Sequence, residues 1–285
     1  MGATDLVLVS GKGGTGKSAV TAALAIERAL RGQTVLAIDL GTGLGLGTHL
    51  RTSSLTYEPT QVRTGVWAMT MVRSAALDEY LKTQLHVPGG APSRTLAGAL
   101  SVLVDTAPGV REIISIGKPI FETWKEKWDA VIVDTPSLGQ FQSYLRAPST
   151  IAALVPTGRV KRQAGSLTAT LSDSSITQVV LVSNPAELPV IETVEAIETI
   201  TSERLCPTPI VVMNRIVAKS GITEGHVKNL VDGPLREAAV HQRSVESLQH
   251  HWMAQIDIDV SLPYLMGVST PGEVAVQLAA AMRAG

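Results

Sequence analysis

Residues 11–18 read GKGGTGKS, which fits the spacing G-x-x-x-x-G-K-[ST]. Glycines at this density let the backbone of Gly11, Gly13, Gly14, Thr15 and Gly16 turn its N–H groups inward around an anion. An apolar strand pattern, LVLVS over 6–10, precedes the loop, and a helical pattern beginning KSAVTAALAIERAL follows it. In that setting the helix N-terminus adds the positive end of its dipole, Lys17 reaches the β- and γ-phosphates of a nucleotide, and Ser18 binds Mg²⁺. The alternative is a glycine-rich strand-to-helix turn without a ligand.

Other residue types bear on the same chemistry. The apolar run AVIVD over 130–134 ends in Asp134, a carboxylate placed to hold Mg²⁺ through water beyond the γ-phosphate. Its alternative role is a buried aspartate capping the next helix. TVLAID over 34–39 ends in Asp39 and runs into Gly41, Gly43, Gly45 and Gly47, a strict spacing of two that does not fit G-x-G-x-x-G. The histidines, including His250 and His251, lack metal-ligand spacing with Asp or Glu and read as surface residues. Asp257 and Asp259 read as a solvated strand edge rather than a metal site, and Met253 and Met266 as packing residues. Cys206 is the lone cysteine, so there is neither a disulfide framework nor a thiolate cluster.

These groups need a scaffold. Strand patterns at 6–10, 34–39, 66–72, 130–134, 178–183, 210–214 and 256–262 alternate with helical patterns at 17–31, 75–85, 109–126, 159–173, 189–205, 223–253 and 271–283. Several strands are Val/Ile-rich with little polar alternation, as strands covered on both faces read. The expected fold is α/β: a doubly wound, mostly parallel sheet flanked by helices. The expectation is one domain over 1–285, with helical insertions near 75–126 and 219–253. At 285 residues and 45% hydrophobic the chain can bury a large core. A formal net charge of −1 gives no global basic field for nucleic acid. No apolar run is long enough to span a bilayer and no signal peptide is visible, so a cytoplasmic protein with at most peripheral membrane contact is expected.

Lys12 carries more information than the loop pattern demands. KGGTGKS with this lysine is the deviant Walker A signature, and the chain resembles the ATPase family that contains the arsenite-pump ATPase, the eukaryotic tail-anchored-protein targeting ATPase, MinD and ParA. DTPSLGQFQSYL from Asp134 onward resembles the family's second switch, with Gln140 where many relatives have His. APGVREIISIGKPIFETW (107–124), VVLVSNPAELPVIETVEAIETI (179–200), PIVVMNR (209–215) and VSLPYLMG (260–267) are similar, in order, to segments of the arsenite-pump branch, in particular its short bacterial anion-transporting type. The resemblance implies ATP and Mg²⁺ as cofactors, with Lys12 crossing a two-fold interface to a partner's nucleotide. It implies that Asn214 meets the adenine edge and that the loop containing Pro263 closes over the base. As partners it implies a homodimer, or a heterodimer with a related ATPase, and a hydrophobic protein client.

The same resemblance gives the glycine run a meaning. In the family an acidic residue of the first switch positions the attacking water, and in this register that position is Gly41. Weak hydrolysis is one expectation, which would make the chain an ATP-binding scaffold for an active relative; a register shift that makes Asp39 the catalytic acid is the other. The cysteine count argues against an arsenite-type thiol site, a zinc clasp or an iron–sulfur cluster. Apolar stretches at 95–105 and 113–124 serve either as core or as a client groove. Small-molecule synthetases of the same fold remain a third class.

Overall fold

The computed structural model describes residues 4–41, 43–83, 109–268 and 270–284. Eight strands form one sheet: β1 (Asp5–Gly11), β2 (Val35–Asp39), β3 (Thr60–Arg63), β4 (Val66–Thr70), β5 (Ala130–Asp134), β6 (Thr177–Ser183), β7 (Ile210–Ile216) and β8 (Val260–Pro263). Their order is β3-β4-β2-β5-β1-β6-β7-β8, parallel throughout except for the antiparallel β3–β4 pair. This is the doubly wound sheet expected from the strand–helix alternation.

Two-residue periodicity sorts the strand side chains between two layers. Leu6, Leu8, Leu36, Ile38, Val131 and Val133 enter one core. It is closed by α4 (Val110–Trp124), α5 (Leu138–Leu154), α6 (Arg159–Ser172) and α7 (Glu187–Ser202). Val7, Val9, Val35, Ala37, Ala130 and Ile132 enter the other, against α1 (Lys17–Leu30), α2 (Leu44–His49) and α10 (Pro271–Ala284). Small buried residues on α1, including Ala19, Ala22, Ala23 and Ala25, let that helix lie close to the sheet. α3 (Arg73–Thr83) rests on α4, while α8 (Glu224–Lys228) and α9 (Pro234–Met253) follow β7.

Several elements depart from the expected boundaries. Edge strand β3, TQVR, is polar and mostly exposed, so it left no apolar signal. The later part of the glycine run folds as α2, with Gly43 as its cap and Gly45 and Gly47 inside it, although glycine is a poor helix former, because its N-terminal groups are capped as described below. α5 contains Pro148 and so breaks the usual helical pattern, yet it continues through it. The expected helix at 223–253 is two, separated at Gly233 with Pro234 on the first turn of α9. The last strand starts at Val260 rather than 256. Met266 is 76% exposed and does not pack in the core, because it lies on the loop after β8. Of the two apolar stretches, 95–105 lies outside the described residues, and Ile116 and Ile120 of the second belong to the core.

Candidate functional site

The sheet places the C-terminal ends of β1, β2 and β5 side by side, where ligands of open parallel sheets bind. In the register of these strands Asp39 lies opposite Asp134, and Val9 lies opposite Asp134 on the other side. The loop after β1 therefore opens beside Asp134, with Asp39 one strand further on.

Gly16 caps α1 with φ +95°, and a Cβ at that position would lie 2.5 Å from Asn214 Nδ2, so a side chain is excluded both by conformation and by space. The first turn of α1 has no acidic residue and no side-chain cap, which leaves its N–H groups facing the loop. Within the loop, Thr15 Oγ1 donates to the Lys12 carbonyl at 2.9 Å, and Lys17 Nζ donates to the same oxygen at 3.3 Å. Asn214 Nδ2, buried on β7, donates to the Thr15 carbonyl at 2.9 Å. The loop is thus held in shape by its own residues and by a neighbouring strand.

Lys17, Ser18 and Asp134 converge. Ser18 hydrogen-bonds the Asp134 carboxylate, and Asp134 Oδ1 is buried with no hydrogen-bond partner among the described residues. Burial raises the Asp134 pKa to about 7; Asp39 adds to that, while Ser18 and Lys17 oppose it. Burial also pushes Lys17 below the usual lysine range against the attraction of Asp134. A buried carboxylate oxygen without a donor, next to a serine hydroxyl and a lysine, matches a hard divalent cation carried with phosphate. Ser18 and Asp134 are the residues that would hold Mg²⁺.

Asp39 is occupied differently. Its carboxylate accepts from the Gly41 N–H at 2.5 Å and from the N–H groups of Gly43 and Leu46. It caps α2, and burial still raises its pKa above the usual carboxylate range despite these bonds. The close approach of α2 explains glycine at Gly45, where a Cβ would lie 2.8 Å from Ser18 Oγ. Gly41 is exposed beside Asp39. Lys12 turns away from the loop and pairs with Glu192 of α7. Glu192 lies within a segment quoted above for its resemblance, but nothing in its spacing announced this contact. Gln140 is exposed at the start of α5.

A cavity of about 320 Å³ adjoins the loop, with Gly16, Asn214, Pro263 and His49 among its lining residues. This brings together Asn214 and Pro263, which are distant in sequence. It also corrects the surface reading of the histidines in one case: His49 is half-buried at the end of α2, and its Nδ1 lies 2.8 Å from the Pro271 carbonyl. A lone histidine outside any motif carried no sequence signal. His250 and His251 are exposed, as expected. Asp259 accepts from the Val211 N–H at 2.7 Å, and no cluster of three or more His, Cys, Asp or Glu side chains placed to hold a metal occurs among the described residues.

Parallel sheet, loop and converging Lys17, Ser18 and Asp134 define a P-loop NTPase-type α/β protein. The anion-transporting ATPase family matches over residues 4–168, more than half of the chain, and the protein belongs to that family. ATPase BagA of Mycobacterium tuberculosis is 33% identical over 223 residues, covering 74% of this chain and 64% of BagA. ATPase GET3 of Pyricularia oryzae is 26% identical over 167 residues, covering 56% of this chain and 48% of GET3. The chain thus spans less than two thirds of the length of these relatives. Among the described residues no helix is long and apolar enough to cross a membrane.

Proposed function

We propose that the protein is a cytoplasmic ATP-binding switch that takes Mg²⁺ with the nucleotide and changes its association with a second ATPase subunit. The observation that carries this reading is the unpartnered, buried Asp134 Oδ1 beside Ser18 and Lys17, next to the first turn of α1, which has no side-chain cap. Gly11, Gly13, Gly14, Thr15 and Gly16 wrap the phosphates, Lys17 neutralises them, and Asn214 and Pro263 bound the base cavity. Ser18 and Asp134 would hold Mg²⁺, which would supply charge neutralisation for the triphosphate. Lys12 is the group that reaches a partner's nucleotide in the dimer, and to do so it leaves Glu192. Residues 1–285 act as one domain in this reading. A hydrophobic client is supported by two cavities of about 580 and 420 Å³ along α9, beside the exposed Val240 and Leu248.

A second reading, slow hydrolysis, is favoured by one observation: the Asp39 carboxylate is engaged by three backbone N–H groups, and Gly41 brings no acid. Asp39 then serves as a cap rather than a base, and the chain is an ATP-holding partner for a more active subunit. The test is molar mass by light scattering with a non-hydrolysable ATP analogue, together with steady-state turnover. An analogue-dependent doubling of mass that Lys12→Ala abolishes supports the switch, and an unchanged mass with every analogue contradicts it. Turnover as fast as that of an acid-bearing relative contradicts the second reading.

A further inference from the structure

His49 ends α2 and lines the cavity of about 320 Å³ together with Gly16, Asn214, Pro263 and Pro271. One ring nitrogen, Nδ1, is 2.8 Å from the Pro271 carbonyl at the start of α10. A carbonyl oxygen only accepts, so Nδ1 is the donor and carries the ring proton. In the neutral ring this leaves Nε2 as an acceptor with a lone pair. Burial holds the His49 pKa below its usual value, opposed by the Pro271 bond, which favours that neutral form at pH 7 and above. The neighbouring amide of Asn214 already commits Nδ2 to the Thr15 carbonyl. His49 is therefore a polar group on the cavity wall whose second nitrogen has no hydrogen-bond partner among the described residues.

We propose that His49 is a nucleoside-recognition residue, with Nε2 accepting a hydrogen bond from a donor on the nucleoside. The donors on the adenosine part of ATP are the 2′ and 3′ hydroxyls and the exocyclic amino group. The proposal rests on the nucleotide reading of the adjoining loop. It sets α2 along both parts of the site: Gly45 abuts Ser18, which hydrogen-bonds Asp134, and His49 lines the cavity. Capping by Asp39 holds the helix between them.

The experiment is equilibrium titration, with Mg²⁺ at pH 7.5, of wild type, His49→Phe and His49→Gln. The ligands are ATP, 2′-deoxy-ATP, 3′-deoxy-ATP, inosine triphosphate and inorganic tripolyphosphate. In wild type one of the three analogues binds about 3- to 10-fold more weakly than ATP, which identifies the donor. In His49→Phe that ratio falls to about one, and tripolyphosphate binds as it does in wild type. His49→Gln, which keeps a donor for Pro271 and an acceptor, restores part of the ratio and serves as the variant should the phenyl ring not pack. Identical analogue ratios in wild type and both variants, with tripolyphosphate still bound, overturn the proposal and leave the loop reading standing. Failure of wild type to bind either ATP or tripolyphosphate overturns the loop reading and this one together.

Discussion

At the scale of single residues, Asp134 carries an electrostatic cost that a ligand relieves. Its buried carboxylate has one oxygen without a donor among the described residues. Asp134→Asn removes that charge, so the ligand-free variant should be more stable than wild type by about 1–3 kcal/mol in urea unfolding. The same variant should gain nothing from Mg²⁺ with ATP, whereas wild type should gain markedly. A ligand-free variant less stable than wild type would show that the carboxylate stabilises the fold and would contradict this reading. Cys206 makes a plainer prediction. It is buried and its thiol is pushed up to about 12 by desolvation, so it is a packed apolar group rather than a nucleophile. A disulfide reagent at pH 8 should label it only after denaturation, and prompt labelling of the native protein would contradict the burial.

At the scale of elements, the glycine helix α2 is the least expected feature. Gly45→Ala should raise or preserve the stability of the fold, since alanine is the better helix former by about 1 kcal/mol. It should nonetheless weaken Mg²⁺-dependent ATP binding by about tenfold, the size of one charge-assisted bond, because the new methyl displaces the Ser18 hydroxyl. Equal effects on stability and binding would assign Gly45 to the fold alone. The strands β1, β2, β5, β6 and β7 were legible because burial on both faces writes continuous apolar runs. The phosphate loop was legible because its chemistry requires glycines at fixed spacing next to a lysine and a hydroxyl. α2 was not, because its helix depends on a cap from Asp39 and a close approach to Ser18, neither of which has a local pattern. Glu192 and His49 were hidden for a related reason: Lys12 and Glu192 are 180 positions apart, and His49 and Pro271 are 222 apart. α3 and α4 are joined by a further long-range group. Lys118, nearly buried, pairs with Glu79 and Glu122, and Trp128 donates to Glu122 at 3.2 Å. Burial pushes Glu79 up, but bonds from Lys118 and Tyr57 outweigh it and hold the carboxyl at about 2; Glu122 is likewise held below its usual value. Folded pKa values below the unfolded ones add stability above about pH 4.5 that disappears as pH falls toward 2. Urea midpoints from pH 7 to 3 should therefore decline. Lys118→Met should lower stability at pH 7 by about 2–4 kcal/mol and flatten that decline. An unchanged slope would remove the network from the stability of the fold.

At the scale of the whole molecule, the sheet sets the arrangement. β1 lies between β5 and β6, and β2 lies beyond β5, so one edge of the sheet presents the phosphate loop, Asp134 and Asp39 in sequence. Helices on both faces exclude water from the strands but leave these C-terminal ends open. Lys12 is bound within its own chain to Glu192, a pair that the proposed dimer would have to break. Gly41→Asp adds a carboxylate to the loop after β2, where a Cβ would stand 3.0 Å from Asp39 Oδ1. If slow hydrolysis follows from the missing acid, turnover should rise by about tenfold or more in this variant, within the range of general-base effects. No rise, with ATP still bound, would place the limit elsewhere.

The most direct measurement is a calorimetric titration of ATP into the purified chain with and without Mg²⁺, repeated for Ser18→Ala. One triphosphate per chain is expected, bound more tightly with Mg²⁺ than without it, and the Mg²⁺ advantage should vanish in the serine variant while weak binding persists. Absence of binding, or an affinity indifferent to both Mg²⁺ and Ser18, would contradict a nucleotide seated between β1 and α1.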